Sequence, residues 1–367
     1  MVLGKAEMRS RCAVLADDLT GACDSAVQFR MRGASSMVHL RVGQAGTGEY
    51  EVNAFSTDSR DLAPGETARR IRRSARQILE WEPQIIFKKI DSTLRGNPGA
   101  EIRTALEAFG CDAAIITPAY PDMGRVVHGG SLNLQGDAAW IPITVAGRLR
   151  DQGLDSCCHV HGGELCAALG RGSRFVSAEA KCNEDLDAIA KEGLRSGRRI
   201  LWAGSAGLAA ALARILFGAE ETPVVCERKN LPVLFCIGSD HAVTRAQVAE
   251  LLKERAACET GLEEPRPGVH SIIPIERGMT QPEAIRKLLG DIREVAGALF
   301  LCGGDTASLV LRSIEAEGIE LQGEIVAGLP WGVLKGGLLD GVPVATKSGG
   351  FGGPDALVKV ADFFTCH

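Results

Sequence analysis

The chain has 367 residues, 45% of them hydrophobic and 24% charged, which suits two globular domains of ordinary size, neither relying on metals or disulfides for its core. A formal net charge of −5 argues against a general nucleic-acid binder, so an anionic ligand must be met by cations placed locally. No apolar run reaches the roughly 18 residues needed to cross a bilayer, and the N-terminus lacks the apolar core of a signal peptide.

The first strong pattern in chain order is Cys12–Ala16, an apolar run that delivers Asp17 and Asp18 and then a Thr-Gly able to open a helix over Gly21–Arg32. Acids placed just past a strand end can orient and deprotonate a hydroxyl. The competing expectation is that Asp18 or Thr20 simply caps that helix. Further strands are expected at Met37–Leu40, Val52–Ser56, Gln84–Ile90, Ala113–Thr117, Arg174–Val176 and Arg199–Ala203. They alternate with amphipathic segments, as βα units around a mostly parallel sheet do. Arg69, Arg70, Arg72, Arg73 and Arg76 accompany Ile71, Ala75, Ile78 and Leu79 at helical spacing and read as a solvated helix face.

Between Phe217 and Pro232 the sequence turns polar and carries two prolines, as a linker does. This sets the expected domains at 1–220 and 230–367. In the second, Val233–Ile237, His270–Pro274, Ala298–Cys302, Glu324–Ala327 and Val342–Ala345 read as strands. Helices are expected near Ala242–Arg255, Gln281–Val295, Thr306–Glu317 and Pro354–Phe363. The 12 cysteines show no C-x-x-C and no zinc-type pairing with histidine; they read as reduced thiols in a cytoplasmic protein.

Three polar clusters in the first domain follow apolar runs: Ser56–Arg60, Lys88–Gly96 and Pro118–Arg125. Arg60, Lys89, Arg95 and Arg125 supply cations for a carboxylate or phosphate, and Asp91, Ser92 and Thr93 supply groups that read hydroxyls. A small polyhydroxylated acid would suit them. The second domain instead offers Gly238-Ser239-Asp240, Gly303-Gly304-Asp305-Thr306, Gly328-Leu329-Pro330-Trp331-Gly332 and Lys347–Gly353. Glycine lets backbone N–H groups approach phosphates, and helix N-termini favour negative charge. Neither the P-loop pattern nor the G-x-G-x-x-G fingerprint is present.

In order and content these motifs, above all Ala-Asp-Asp-Leu-Thr-Gly-Ala from Ala16 and Lys-x-Asp-Ser-Thr-x-Arg-Gly from Lys89, resemble the four-carbon acid sugar kinase family, which includes D-threonate, D-erythronate and 3-oxo-tetronate kinases. The resemblance spans nearly the whole chain. It implies two three-layer α/β/α domains with mostly parallel sheets and an active site in the cleft between them. The first domain would hold the sugar acid and the second ATP, with Mg²⁺ bridging phosphates and the γ-phosphoryl group passing to a terminal hydroxyl. Sugar-acid contacts would come from Asp17, Asp18, Arg60, Lys89, Asp91, Ser92, Arg95 and Arg125; Asp18, with Asp17 as the alternate, would accept the proton. ATP contacts would come from Ser239, Gly303, Gly304, Asp305, Thr306 and Gly349. A homodimer is compatible with this reading. Two departures stand out: the segment around Asp137–His161 is short, and Ser177-Ala178-Glu179 stands where the family commonly has an Asp-Ala pair. The rival readings are a non-catalytic sugar-acid sensor and an NAD-dependent dehydrogenase, the latter opposed by the missing fingerprint.

Overall fold

A strand covered on both faces needs apolar side chains at successive positions rather than alternate ones, and Cys12–Ala16, Ala113–Thr117, Val233–Ile237 and Ala298–Cys302 are such runs. In the computed structural model, which describes residues 11–41, 49–136, 139–218, 232–255, 257–259, 269–275, 282–292 and 297–365, each is an interior strand of one sheet. In chain order the first half contributes β1 (Cys12–Ala16), β2 (Ser36–His39), β3 (Val52–Ser56), β4 (Ile85–Lys89) and β5 (Ala113–Thr117). A small antiparallel sheet of β6 (Arg125–His128), β7 (Ser131–Leu134) and β8 (Ile143–Thr144) follows, and then β9 (Cys157–Val160), β10 (Phe175–Ala178) and β11 (Ile200–Gly204). The second half adds β12 (Val233–Ile237), β13 (Ala257–Glu259), β14 (His270–Pro274), β15 (Ala298–Cys302), β16 (Gly318–Glu324), β17 (Pro330–Lys335) and β18 (Pro343–Lys347).

The α/β class and the mostly parallel pairing match expectation, but the halves share a single sheet of 15 strands, ordered β13-β14-β12-β15-β18-β17-β16-β2-β3-β1-β4-β11-β5-β10-β9. The seam is β16, antiparallel to β2 with Gly318 opposite His39 and Glu320 opposite Met37. Because β16, β17 and β18 also pair antiparallel in succession, the parallel block of the second half runs against that of the first. Twist resolves the opposition. Neighbouring strands rotate by about 20–25°, and from β1 the path to β15 crosses β3, β2, β16, β17 and β18, so a rotation on the order of 120–150° accumulates. The carboxyl ends of both blocks thereby reach one cleft.

Side-chain alternation covers both faces of the second block. On β12, Leu234 and Cys236 join the main core, whereas Val233 and Phe235 join a smaller core with Leu251 of helix Ala242–Glu254 and Leu357, Val360 and Phe364 of helix Ala356–Thr365. Helix Leu19–Arg30 lies against helix Ala206–Phe217, β16 and helix Gly304–Ser313, so one helix packs on both halves. Among the described residues no helix is long and apolar enough to cross a membrane.

The arginine-rich segment is the outer face of helix Pro64–Leu79, with Ile71, Ala75 and Ile78 inward and Arg69 and Arg70 paired to Glu66. Of the expected linker, residues 219–231 lie outside the described residues, as do 137 and 138 of the shortened segment. One expected strand is displaced. Glu324–Ala327 is only the end of β16 followed by a turn, because Glu320, Gln322 and Glu324 alternate with buried Leu321 and Gly323, and the register shifts between Leu321 and Gly323. Gly328, with φ of 77°, makes the turn, and Pro330, Trp331 and Gly332 then belong to β17 rather than to a phosphate loop.

Candidate active site

At the end of β1, Asp17 and Asp18 point toward Arg60, which follows β3. Arg60 grips Asp17 with two nitrogens, Nε to Oδ2 at 2.6 Å and Nη2 to Oδ1 at 3.0 Å, and reaches Asp18 Oδ2 with Nη1 at 2.6 Å. Burial opposes ionisation of Asp17, yet Arg60, with Lys88 and Lys89 behind it, holds that carboxylate below its usual range. Asp18 also caps helix Leu19–Arg30. Its backbone is extended, its Oδ1 accepts from the Gly21 N–H at 2.7 Å, and Oδ2 accepts from Thr20 Oγ1 at 3.0 Å. Capping and a place in the cleft are therefore both true of Asp18.

Strand alternation separates the two lysines of β4. Lys88 is fully buried, 2.6 Å from Glu101 Oε2, and donates to the Lys89 carbonyl. Lys89, 4% exposed, comes up beneath Gly21, where an added Cβ would lie 3.1 Å from its Nζ. Its ammonium makes no hydrogen bond or ion pair within the described residues. In the turn after β4, Arg95 closes on Asp91 with Nε to Oδ1 at 3.1 Å and Nη2 to Oδ2 at 2.6 Å, and Thr93 donates to the same carboxylate. Burial would raise Asp91, but Arg95 and Arg60 keep it ionised well below the usual carboxylate range. Ser92 is buried in that turn. Arg125 donates to the Met123 carbonyl, stacks 4.9 Å above the Phe351 ring, and has a buried Nε with no hydrogen-bond partner. Facing these cations is Asp24, one oxygen of which is also buried without a partner; burial, partly offset by Lys89, pushes its pKa up to about 6. Glu324 is pushed to about 8 by burial and by Asp24.

The other wall is lined mainly by glycines and hydroxyls, with Asp240 and Asp305 its only carboxylates among the described residues. Gly238 and Ser239 leave β12, Gly303–Thr306 leave β15 and open helix Gly304–Ser313, and Ser348–Gly353 leave β18. Glycine is required by proximity: a Cβ on Gly349 would run into Ser239 Oγ, one on Gly238 into Thr306 Oγ1, and one on Gly304 would stand 2.8 Å from Asp18 Oδ2. The third loop is held from below. Lys347 Nζ donates to the carbonyls of Ser348 and Gly349, Thr244 donates to Gly349, and Gln247 Nε2 donates to Phe351, Gly352 and Gly353. Thr20 Oγ1 and Ser348 Oγ, 3.1 Å apart, tie the two walls together.

Between the walls lies a cavity of about 970 Å³, lined by Asp17, Asp18, Arg60 and Arg95 from one half and by Ser239, Gly303, Gly304, Asp305, Thr306 and Gly349 from the other. Of the residues singled out from sequence, Lys89, Asp91, Ser92 and Arg125 are not among those that line it. The sequence reading missed Thr20, Asp58, His241 and Ser348, which do line it. It also missed the loop supports Thr244 and Gln247. A Thr and a Gln three apart on a helix carry no signal of their own, whereas Asp58 and Ser348 sat inside motifs already singled out.

Comparison with known proteins finds a separate family model in each half. A family model described as a sugar-binding N-terminal domain matches residues 12–148, and one described as a nucleotide-binding C-terminal domain matches residues 274–357. A D-threonate kinase of Bordetella bronchiseptica is 33% identical, over 95% of this chain and 96% of its own length. A D-erythronate kinase of Heliobacterium modesticaldum is 28% identical, over 96% and 97%. The fold is shared with a solved protein of Salmonella typhimurium, 19% identical, at a TM-score of 0.78 over 97% of this chain and 99% of that one.

Proposed function

Because the chain belongs to the four-carbon acid sugar kinase family, we propose that it transfers the γ-phosphoryl group of ATP to the terminal hydroxyl of a four-carbon sugar acid, with D-threonate the first candidate. The observation that carries this reading is the meeting of Asp18 and Gly304: the acid that would take the hydroxyl proton stands against the loop that would cradle phosphates. Phosphoryl transfer asks a protein for alignment and for charge stabilisation of a loose transition state, and a cleft with one charged and one glycine-lined wall suits that division.

Within the acid pair the geometry favours Asp18. Both oxygens of Asp17 accept from Arg60, whereas Asp18 receives a single Arg60 nitrogen and abuts the opposite wall. Arg60 in this reading fixes the two carboxylates rather than the substrate. Lys89 and Arg125 are then the cations left to meet the sugar-acid carboxylate or the migrating phosphoryl group, with Asp24 reading a hydroxyl. The glycine positions that tolerate no Cβ and the N-terminus of helix Gly304–Ser313 fit a polyphosphate. Asp240 and Asp305, which line the cavity on that side, are the carboxylates that would help hold Mg²⁺, whose charge would offset that of the phosphates.

The test is turnover with ATP and Mg²⁺ over D-threonate, L-threonate, D- and L-erythronate and 3-oxo-tetronates, reading both ADP and the phosphorylated acid. The expected result is a phosphorylated four-carbon acid with D-threonate ahead. Binding without turnover on every acid would make the protein a sensor, and a change in NAD absorbance would make it a dehydrogenase.

A further inference from the structure

The outer edge of the first half carries a side-chain group that phosphoryl transfer does not use. His159, on β9, and His161, just past its end, are two residues apart and so share a face. The parallel register sets Ser177 opposite His159 and Ala178 opposite Val160, which continues Glu179 alongside His161. One ligand atom from each of His159, His161 and Glu179 lies within 4.8 Å of the others. Glu179 Oε2 is 3.1 Å from His161 Nδ1 and 3.8 Å from His159 Nε2. Donors bound to one tetrahedral Zn²⁺ at its usual bond lengths stand roughly 3.3 Å apart, between these two separations.

Ser177 Oγ donates to the Cys158 carbonyl at 3.3 Å and lies 2.9 Å from His159 Nδ1, an arrangement that is complete when the imidazole carries its proton on Nδ1. In that tautomer Nε2, buried and without a hydrogen-bond partner, turns a lone pair toward a carboxylate oxygen. Two acceptors so placed repel each other unless a proton or a metal ion stands between them. A neutral imidazole oriented through its other nitrogen is the usual state of a metal-bound histidine. The β6–β7 turn supplies the surroundings: the Gly129 N–H donates to Glu179 Oε2 at 2.8 Å, and His128 Nδ1 is 3.2 Å from Oε1.

We propose that His159, His161 and Glu179 bind a divalent transition-metal ion, Zn²⁺ by donor type, at the edge of the sheet. Two imidazoles and a carboxylate select Zn²⁺ over Mg²⁺, and three protein ligands leave a position that water completes, with His128 holding the carboxylate from its other oxygen. The same hairpin begins with Arg125, and its Val127 bridges Ala180, two residues past the end of β10. An ion on Glu179 therefore fastens the segment that presents Arg125 to the sugar-acid side of the cleft.

The experiment strips the full chain with EDTA, then titrates Zn²⁺ alone by calorimetry and Co²⁺ alone by absorption, without ATP. One ion per chain is expected, with tetrahedral Co²⁺ bands in the visible and no thiolate charge-transfer band, since exposed Cys166 is the competing ligand type. Zn²⁺ should raise the melting temperature, and excess Mg²⁺ should not displace it. His159→Ala and the near-isosteric Glu179→Gln should weaken binding about 100-fold, and His128→Ala about tenfold. A wild-type chain that binds neither ion overturns the proposal, as does binding that shows a thiolate band or persists unchanged in Glu179→Gln. The group would then be a set of proton-dependent ion pairs.

Discussion

The two walls of the cleft solve one problem with opposite materials. The first half presents charge already matched within itself: Arg60 binds Asp17 and Asp18, Arg95 binds Asp91, and Lys88 binds Glu101. Apart from Asp240 and Asp305, the second half presents no carboxylate, lysine or arginine to the cavity among the described residues and relies on glycines placed so closely that a methyl group would collide. A sugar acid has hydroxyls and a carboxylate in fixed directions, which preset side chains can read, whereas a polyphosphate is served by converging backbone N–H groups. The difference teaches that a buried charge on this wall is not by itself a binding residue. What separates the two roles is whether the charge already has a partner.

Lys88 and Lys89 test that distinction within one dipeptide, and the largest effect is expected here. Lys88→Met leaves Glu101 buried and uncompensated, which should cost about 3–5 kcal/mol of stability in urea unfolding. Lys89→Met removes no pair, so stability should stay within about 1 kcal/mol of wild type. Its kcat/KM should nevertheless fall roughly ten- to 100-fold through loss of a charged contact to the substrate. Equal destabilisation by both changes would make Lys89 structural and break the comparison.

Asp18→Asn should lower kcat by about 100-fold or more while ATP affinity, read by calorimetry, stays nearly intact. Asparagine caps helices about as well as aspartate, so the helix should survive and the loss can be assigned to chemistry. If Asp17→Asn is crippled and Asp18→Asn is not, the proton goes to the other acid.

Gly304→Ala probes the second wall where it touches the first. The new Cβ, 2.8 Å from Asp18 Oδ2, should weaken ATP binding and slow turnover by on the order of tenfold, since small misplacements of aligned groups are costly. Unchanged ATP affinity in a folded variant would remove this loop from the nucleotide site.

Strands β1, β3, β5, β12, β14 and β15 lie where sequence places them; in β1, β5, β12 and β15, buried on both faces, a nearly unbroken apolar run carries its own boundaries. The strand β16 was not, because one of its faces is half exposed and its partners, β2 and β17, are set by pairing distant in sequence or across a bulge. The hairpin of β6 and β7 was missed as well; its register depends on a turn through Gly129 and Gly130. In the site, residue types at strand ends were readable, since loops after parallel strands gather there. Which cation pairs with which acid was not. Arg60 and Asp17 are 43 residues apart, and nothing local distinguishes Lys88 from Lys89.

The smallest effect is expected at Arg95, where sequence and geometry pull apart. By motif, Arg95 belongs with the sugar-acid contacts; in the fold its guanidinium lines the cavity but is held in a two-point grip by Asp91, with 62% of the side chain exposed. Lysine at this position still sets a cation beside the buried Asp91, so Arg95→Lys should change stability by no more than about 1 kcal/mol. Lysine keeps the charge and loses the planar fork. If Arg95 leaves Asp91 to bind the substrate carboxylate, kcat/KM for the acid should drop a few-fold while the matching neutral polyol is unaffected, since a full charged contact is worth about 1.5–3 kcal/mol and only part of it is lost. Equal losses on both substrates would mean that Arg95 serves only to hold Asp91. The carboxylate would then rest on Lys89 and Arg125, the cations of this wall that no acid grips, and the rule that a matched charge is structural would hold at Arg95 as it does at Lys88.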